Sequence, residues 1–381
     1  MIRPTVATID LDAVVANCRA LAAMLARETA AAGAPRAPGI IAVVKANAYG
    51  HGATRVALAL EAAGVSMLAC ADIEEGVSLR QAGVSAPILV FGALSVSDLD
   101  GLIDYRLTPT VSTPAAARAL EAVAARRNVV LSCHLKIDTG MNRLGFRHDN
   151  LRRTMPPIIA SRHLAIEAVY THFAAGEDAQ SPFFDEQRRR FERAGAALGA
   201  MGLRGAARHA ANSASLLRDA RTWYDMVRPG LLLDGIVPPP LASSPDLRPG
   251  LSLKSRIVAV KGVRTGEGAG YGLRWTADDP RTIAIVPAGY ADGLDTRLAG
   301  RGVVLVRGRR APIVGAVSMD MLAADVTGLI VDPGDEVVII GSQGDDAITA
   351  REMAATIGAI PWEIVCRLGA RIERRYGSSE S

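Results

Sequence analysis

In "IIAVVKANAYGHG" (40–52) an apolar run of five residues stops at Lys45, and Tyr49 follows four residues later. A lysine ending a buried run has three readings. Its tip can snorkel out to water, or it can clamp an anionic substrate. Alternatively, partial desolvation lowers its pKa until it supplies the neutral amine that forms a Schiff base. Further polar residues follow later apolar runs. Lys136, Asp138 and Arg143 come after "VVLSCHL", His172 after "LAIEAVY", Asn212 and Ser213 after "GAARHA", and Arg228 with Gly230 and Leu231 after "YDMV". A Schiff-base cofactor such as pyridoxal phosphate also needs a phosphate cradle. Ser213 at a helix start and the backbone N–H groups around Gly230 would supply one, with the Tyr49 phenol as a further donor. His51, His134, Asp138 and His172 include no H-x-H or H-x-x-x-H pair, so no metal site is expected. The Gly-rich "TGEGAGYG" (265–272) has no strand–helix context and reads as a turn rather than a dinucleotide loop. His163 and His209 read as structural.

The elements that must position these residues come in two patterns. Eight short apolar runs begin at residues 40, 66, 87, 107, 129, 164, 205 and 224, with Ala-rich amphipathic stretches between them. Several stretches start with Asp, Ser or Thr at the N-cap position. Eight βα units point to a closed (β/α)8 TIM-like barrel, whose active site lies at the C-terminal ends of the strands. The last two runs are weak, and periodicity alone leaves an open doubly wound sheet in play. "VPPPLASSPDLRPG" (237–250) is a Pro-rich connector. Beyond it, short β-branched runs separated by glycine turns predict a C-terminal, mainly antiparallel β domain with one helix in "TAREMAATIG". The expected division is 10–240 for the barrel and 241–381 for the β domain, with residues 1–9 packing on the latter.

Composition narrows the class. The chain of 381 residues is 49% hydrophobic and 22% charged, with a net charge of +4, as expected of a soluble globular protein. Its arginines are scattered and read as solvated surface, so nucleic acid is not an expected partner. No run of 18 apolar residues and no signal-peptide core occur, which argues against a membrane span or export. Cys18, Cys70, Cys133 and Cys366 lie far apart, which fits a reducing cytoplasm.

The motifs "AVVKANAYGHG", "HLKIDTGMNRLGF", "THFA", "ANSAS", "VRPG", "GAGYG", "PAGYADG" and "PIVGAVSMD" occur in order over nearly the whole chain. Together they resemble the alanine racemases, pyridoxal-phosphate enzymes with a βα barrel followed by a β domain. The resemblance implies that Lys45 carries the cofactor as a Schiff base. It implies that Tyr49, Ser213, Gly230 and Leu231 hold the phosphate, with Asn212 and His172 beside the cofactor, and that Arg228 faces the pyridine nitrogen. Arg143 would bond the phenolic oxygen and the substrate carboxylate, with Met319 also at that carboxylate. Lys136 would be carbamylated and would position Arg143. Tyr271 would be a second catalytic base, delivered from the other subunit of a homodimer. Racemisation is served by two bases on opposite faces: Lys45 for the D-enantiomer and Tyr271 for the L-enantiomer. A free phenol has a pKa near ~10, so Tyr271 needs help, for which His172 is the candidate. Arginine keeps its proton, so Arg228 leaves the ring a weaker electron sink, which makes transamination rarer. D-alanine would feed peptidoglycan.

Three positions depart from the family pattern: Ser318 where many relatives have Cys, Ala370 where many have Tyr, and Asp234 where Tyr is frequent. Ala370 bears on strictness for alanine over serine, and Tyr376 is the nearest tyrosine in sequence. Competing readings are a serine-accepting racemase, a decarboxylase of the same architecture and a non-enzymatic cofactor carrier.

Overall fold

The computed structural model describes residues 4–92, 99–178, 180–242 and 245–377. The first strand, β1 (Val6–Ile9), is followed by β2 (Gly39–Val43), β3 (Met67–Cys70), β4 (Ile88–Val90), β5 (Thr108–Val111) and β6 (Leu131–Asp138). Then come β7 (Phe146–Arg147), β8 (Leu164–Tyr170), β9 (Ala207–Asn212) and β10 (Met226–Arg228). Strands β2–β6 and β8–β10 run parallel in the order β5-β4-β3-β2-β10-β9-β8-β6. Pairing of Val227 with Ile40 and of Thr110 with His134 closes the ring. The closed barrel rules out the open sheet. Strands β3, β4 and β5 are buried along their whole length, because helices cover one face and barrel-filling side chains the other. That is why they read as continuous apolar runs rather than alternating ones. The interior layer packs Ile41, Val43, Met67, Ala69 and Leu89. The first covering helix, Leu11–Ala31, is capped by Asp10, whose carboxylate accepts the Ala13 N–H at 2.8 Å.

The second sheet comprises β11 (Leu251–Arg256), β12 (Ala259–Val263), β15 (Arg281–Val286), β16 (Val303–Val306), β17 (Arg309–Val314), β18 (Leu322–Asp325), β19 (Glu336–Gln343), β20 (Asp346–Ile348) and β21 (Glu373–Tyr376). A separate ribbon pairs β13 (Gly268–Ala269) with β14 (Trp275–Thr276). The large sheet also takes in β1, antiparallel to β11 and parallel to β21, its one parallel pair among the described residues. The chain therefore starts in the second sheet, builds the barrel and returns. This sheet has its own core, including Leu253, Val286, Val304, Ile313, Val338 and Ile364.

Some boundaries differ from those read in the sequence. Strand β6 runs on to Asp138, so Lys136 and Asp138 lie within it rather than after it. Arg228 likewise ends β10, and Asn212 ends β9. Polar residues aimed into a barrel mouth break the apolar pattern before the strand itself ends. Among the described residues the β domain has two α-helices where one was expected, Ala350–Ile357 and Pro361–Cys366.

Candidate active site

At the C-terminal ends of the barrel strands lies a cavity of about 590 Å³, within the size range of small-molecule sites. It is lined by Lys45, Tyr49, Lys136, Arg143, His172, Asn212, Ser213, Arg228, Gly230 and Leu231. Barrel residues up to 186 positions apart, from Lys45 to Leu231, meet here because each lies at the C-terminal end of a parallel strand or in the segment that follows it.

Lys45 follows β2 after a single residue, Val44, and opens an unusual turn. Ala46, Asn47, Ala48 and Tyr49 have φ of 52°, 55°, 51° and 49°, so four consecutive non-glycine residues adopt the left-handed conformation. Each such residue costs roughly 1–2 kcal/mol, so the surroundings must enforce the turn. Glu75 does so at its start: its carboxylate takes the Ala46 N–H at 2.7 Å and the Ala71 N–H at 2.8 Å. His51 does so from beneath. It is fully buried, and its Nδ1 lies 3.1 Å from the carbonyl oxygens of both Ala48 and Tyr49. Burial lowers its pKa to about 4, so the ring is neutral and donates from Nδ1. The turn swings the Tyr49 phenol against Gly230, where an added Cβ would lie 2.6 Å from the Tyr49 oxygen. Only glycine permits that approach. The Gly230 N–H in turn donates to Ser213 Oγ at 3.1 Å, tying the turn after β10 to the helix that starts at Ser213. Asn212 caps that helix by accepting the Ser215 N–H at 2.9 Å.

The deep wall is built on Arg228, which is 3% exposed. Its Nη2 donates to the carbonyl oxygens of Thr171 and Ala210, both at 2.8 Å. Its two terminal nitrogens also reach Nδ1 of His209 at 2.9 Å and Nδ1 of His172 at 3.3 Å. A guanidinium has only donors, so both Nδ1 atoms accept and both Nε2 atoms carry the proton. His209 passes its proton's hydrogen bond to His134 Nδ1 at 3.0 Å. Burial, reinforced by the Arg228 charge, holds His172 and His209 well below the ordinary histidine range, so both are neutral. Burial lowers the Arg228 pKa only to about 10, which leaves it a cation. The Tyr170 ring lies 5.3 Å from the guanidinium carbon and stacks on His209, whose centroid is 4.7 Å away.

The two lysines share this positive environment. Burial comes first, then Arg143, in lowering the Lys45 pKa, while Cys366 and Glu75 oppose the shift. The same two leading causes bring Lys136 down to about 8. Lys136 is 6% exposed, and its Nζ lies 5.5 Å from the Tyr170 ring centroid. Both are placed to offer a neutral amine more readily than a solvated lysine.

Tyr271 and Met319 do not line this cavity. Tyr271 is 78% exposed on the β domain, beside a depression lined also by Gly270, Leu273, Ser318 and Met321, and Met319 is 52% exposed. Ser318 has a local role: its Oγ donates to the Met321 carbonyl at 2.8 Å and accepts the Met321 N–H at 3.0 Å. Ala370 and Tyr376 line no part of the cavity; Tyr376 lies over Gly52 and under Arg55 instead. Asp234 is buried 3.9 Å from His51 Nδ1, and burial raises its carboxyl well above the usual range. Nothing in the structure explains the choice of aspartate there. Residues the sequence reading passed over are Glu75, Tyr170, Trp362 and Cys366, the last two lining the cavity from the β domain. His209, read as merely structural, bonds the guanidinium of the site. His134 and His209 sit on neighbouring parts of the barrel wall, but only the fold shows that they bond.

Known proteins agree with this architecture. The family described as alanine racemase, N-terminal domain, matches residues 9–238, and alanine racemase, C-terminal domain, matches residues 250–376. The alanine racemase of Symbiobacterium thermophilum is 42% identical over 98% of this chain and 97% of its own length. The alanine racemase of Bacillus anthracis, solved with bound L-Ala-P, superposes with a TM-score of 0.91 at 32% identity, covering 100% of this chain and 97% of that one. That of Bartonella henselae, solved with covalently bound pyridoxal phosphate, gives a TM-score of 0.86 at 29% identity, covering 98% of this chain and 99% of that one. With both domains matched in order and near-complete mutual coverage, this chain belongs to the alanine racemase family.

Proposed function

We propose that this protein interconverts L- and D-alanine, using pyridoxal 5'-phosphate held on Lys45, with Lys45 and the Tyr271 of a second copy as the two bases. The observation that carries the reading is the placement of Lys45. A lysine with a lowered pKa shares one cavity with a buried, permanently charged arginine and with a Tyr49–Gly230–Ser213 cradle. The donor set fits the cofactor: an amine for its aldehyde, hydroxyl and backbone N–H donors for its phosphate, and Arg228 for its ring nitrogen. The tight approach of Tyr49 to Gly230 leaves the phenol facing that cradle. Bound there, the cofactor draws electron density into its ring and so acidifies the α-proton of an amino acid.

The residues then divide the work. From D-alanine, Lys45 Nζ removes the α-proton and Tyr271 Oη delivers one to the opposite face. From L-alanine the roles reverse: Tyr271 Oη removes the proton and Lys45 Nζ delivers one. His172, with its proton fixed on Nε2 by Arg228, donates to the Tyr271 oxygen and favours the phenolate. Arg143 bonds the substrate carboxylate, and the Met319 backbone of the second copy lies at the same group. Lys136, with its pKa near 8, reacts with CO2 to give a carbamate that orients Arg143. The exposure of Tyr271 supports a homodimer in which each copy completes the other's site. Residues 10–240 form the cofactor-binding unit, and 241–381 with 1–9 the second unit. D-Alanine for peptidoglycan, made in the cytoplasm, is the role we assign.

A racemisation assay of L-alanine beside L-serine tests class and breadth together. Alanine should turn over faster, and borohydride should fix the cofactor on Lys45. Equal rates on serine would support the broader-specificity reading. Release of CO2 without racemisation would replace it with a decarboxylase.

A further inference from the structure

We infer that Arg374, on the C-terminal strand β21, is a positioning residue that holds the left-handed turn Ala46–Tyr49 in shape and so sets Lys45 and Tyr49 in the cavity. The inference rests on reading that cavity as the pyridoxal phosphate site. Four successive left-handed residues are strained, and the turn's own bonds, including Ala48 N–H to the Val44 carbonyl at 2.8 Å and Gly50 N–H to the Ala46 carbonyl at 3.0 Å, are joined by ties from outside it. Its entrance is tied by Glu75 and its underside by His51. Its exit, at Gly50, is tied by Arg374, whose Nε donates to the Gly50 carbonyl at 2.7 Å across 324 residues of sequence. The same guanidinium reaches back to its own segment, to the carbonyl oxygens of Leu368 at 2.9 Å, Ile372 at 3.3 Å and Gly369 at 3.5 Å. One planar group thus joins the turn to the 368–372 segment. A lysine, with a single point of charge, cannot span those acceptors.

The steric fit points the same way. A Cβ on Gly50 would lie 2.1 Å from the Val365 carbonyl oxygen, and one on Gly52 would lie 1.9 Å from the Tyr376 hydroxyl. The turn and the C-terminal segment therefore meet closely on both sides of His51, through the Val365 backbone at Gly50 and the Tyr376 side chain at Gly52. Val365 neighbours Cys366, which with Trp362 lines the cavity, so the segment that grips the turn also walls the site. Alternation along β21 separates two functions. Arg374 and Tyr376 are half-buried against the turn, while Glu373 and Arg375 are exposed and pair with each other at 2.9 Å. Arg375 is thus a built-in control one residue away.

The test uses the full chain with Arg374→Ala, Arg374→Lys and Arg375→Ala. Hydrogen exchange of the cofactor-free protein reads the turn directly. Arg374→Ala should speed exchange in the peptide covering 45–52 and leave strand β8 unchanged. Its dissociation constant for pyridoxal phosphate, followed by absorbance, should rise about tenfold or more, the scale on which groups that orient a ligand-holding residue act. Added ethylguanidinium should reverse both effects, Arg374→Lys should retain part of them, and Arg375→Ala should match the wild type. Wild-type exchange and affinity in Arg374→Ala would overturn the inference. If that variant fails to fold, wild-type behaviour of Arg374→Lys would overturn it instead, since a bare charge would then suffice. If the wild type itself binds no pyridoxal phosphate, the reading of the cavity fails, while the exchange experiment still judges Arg374.

Discussion

Around Arg228, a charge 3% exposed is matched by backbone carbonyls and histidine nitrogens of its own chain; around Tyr271, a phenol 78% exposed shares a depression with Leu273 and Met321, which are also exposed. A buried cation without acceptors would cost several kcal/mol, so the Arg228 wall has to be complete within one chain. An exposed apolar patch carries the opposite message, because monomers rarely leave one uncovered without a partner. On the proposed reading, one half of the chemistry is finished on folding, and the other half would be finished on assembly.

Substitutions at the two ends should separate those halves. Lys45→Ala removes both the cofactor's anchor and one base, and should lower turnover by more than about 10⁴-fold, the upper range for a positioned proton acceptor. Cofactor release on gel filtration would accompany it. Tyr271→Phe should lower proton exchange from L-alanine by about 10³-fold, while cofactor binding, measured by absorbance, stays at the wild-type level because Lys45, Tyr49, Ser213 and Gly230, which would hold the cofactor, are untouched. Loss of cofactor from Tyr271→Phe would break the comparison. A smaller effect is expected at Lys136. Its amine becomes neutral as pH rises through about 8, so bicarbonate should stimulate freshly decarboxylated enzyme more above that pH than below it. Lys136→Met should abolish the bicarbonate response.

The smallest effect belongs to Asp234, behind the Lys45 turn. Burial raises its carboxyl well above the usual range, so the folded protein keeps a proton that the unfolded chain has released. Stability is therefore lost as pH rises from the unfolded pKa through the folded one. Asp234→Asn should remove that loss, so its melting temperature at neutral pH should equal or exceed that of the wild type. A lower value with the same pH dependence would mean that the carboxyl is ionised and paired.

The barrel was legible because each strand is an apolar run and each site residue a polar interruption at its end, as with Lys45, His172 and Arg228. Closure was not legible, since the run holding β10 is only three residues of strand. The second sheet was recognisable as β-rich, with residues 1–9 expected to pack on it, but not that β1 joins it as a strand between β11 and β21, which depends on pairing such as Val6 with Lys254. The left-handed turn was invisible: Ala46 and Ala48 carry no conformational signal, and it is Glu75, His51 and Arg374 that hold it. Likewise Arg228 could be read as a charge, but not His209 as its acceptor. Helices and strands follow local periodicity, whereas support for a strained or charged residue comes from wherever the fold brings a partner.

The central claim is that each site needs two copies of the chain, Lys45 from one and Tyr271 from the other. Inactive Lys45→Ala and inactive Tyr271→Phe are mixed in equal amounts under conditions that exchange subunits, and racemisation is followed. In a two-fold dimer, half of the molecules would be mixed and each would hold one intact site, so activity should return to about a quarter of the wild type. A mixture as inactive as its components, with subunit exchange verified by mass, would place both bases in one chain and contradict the account.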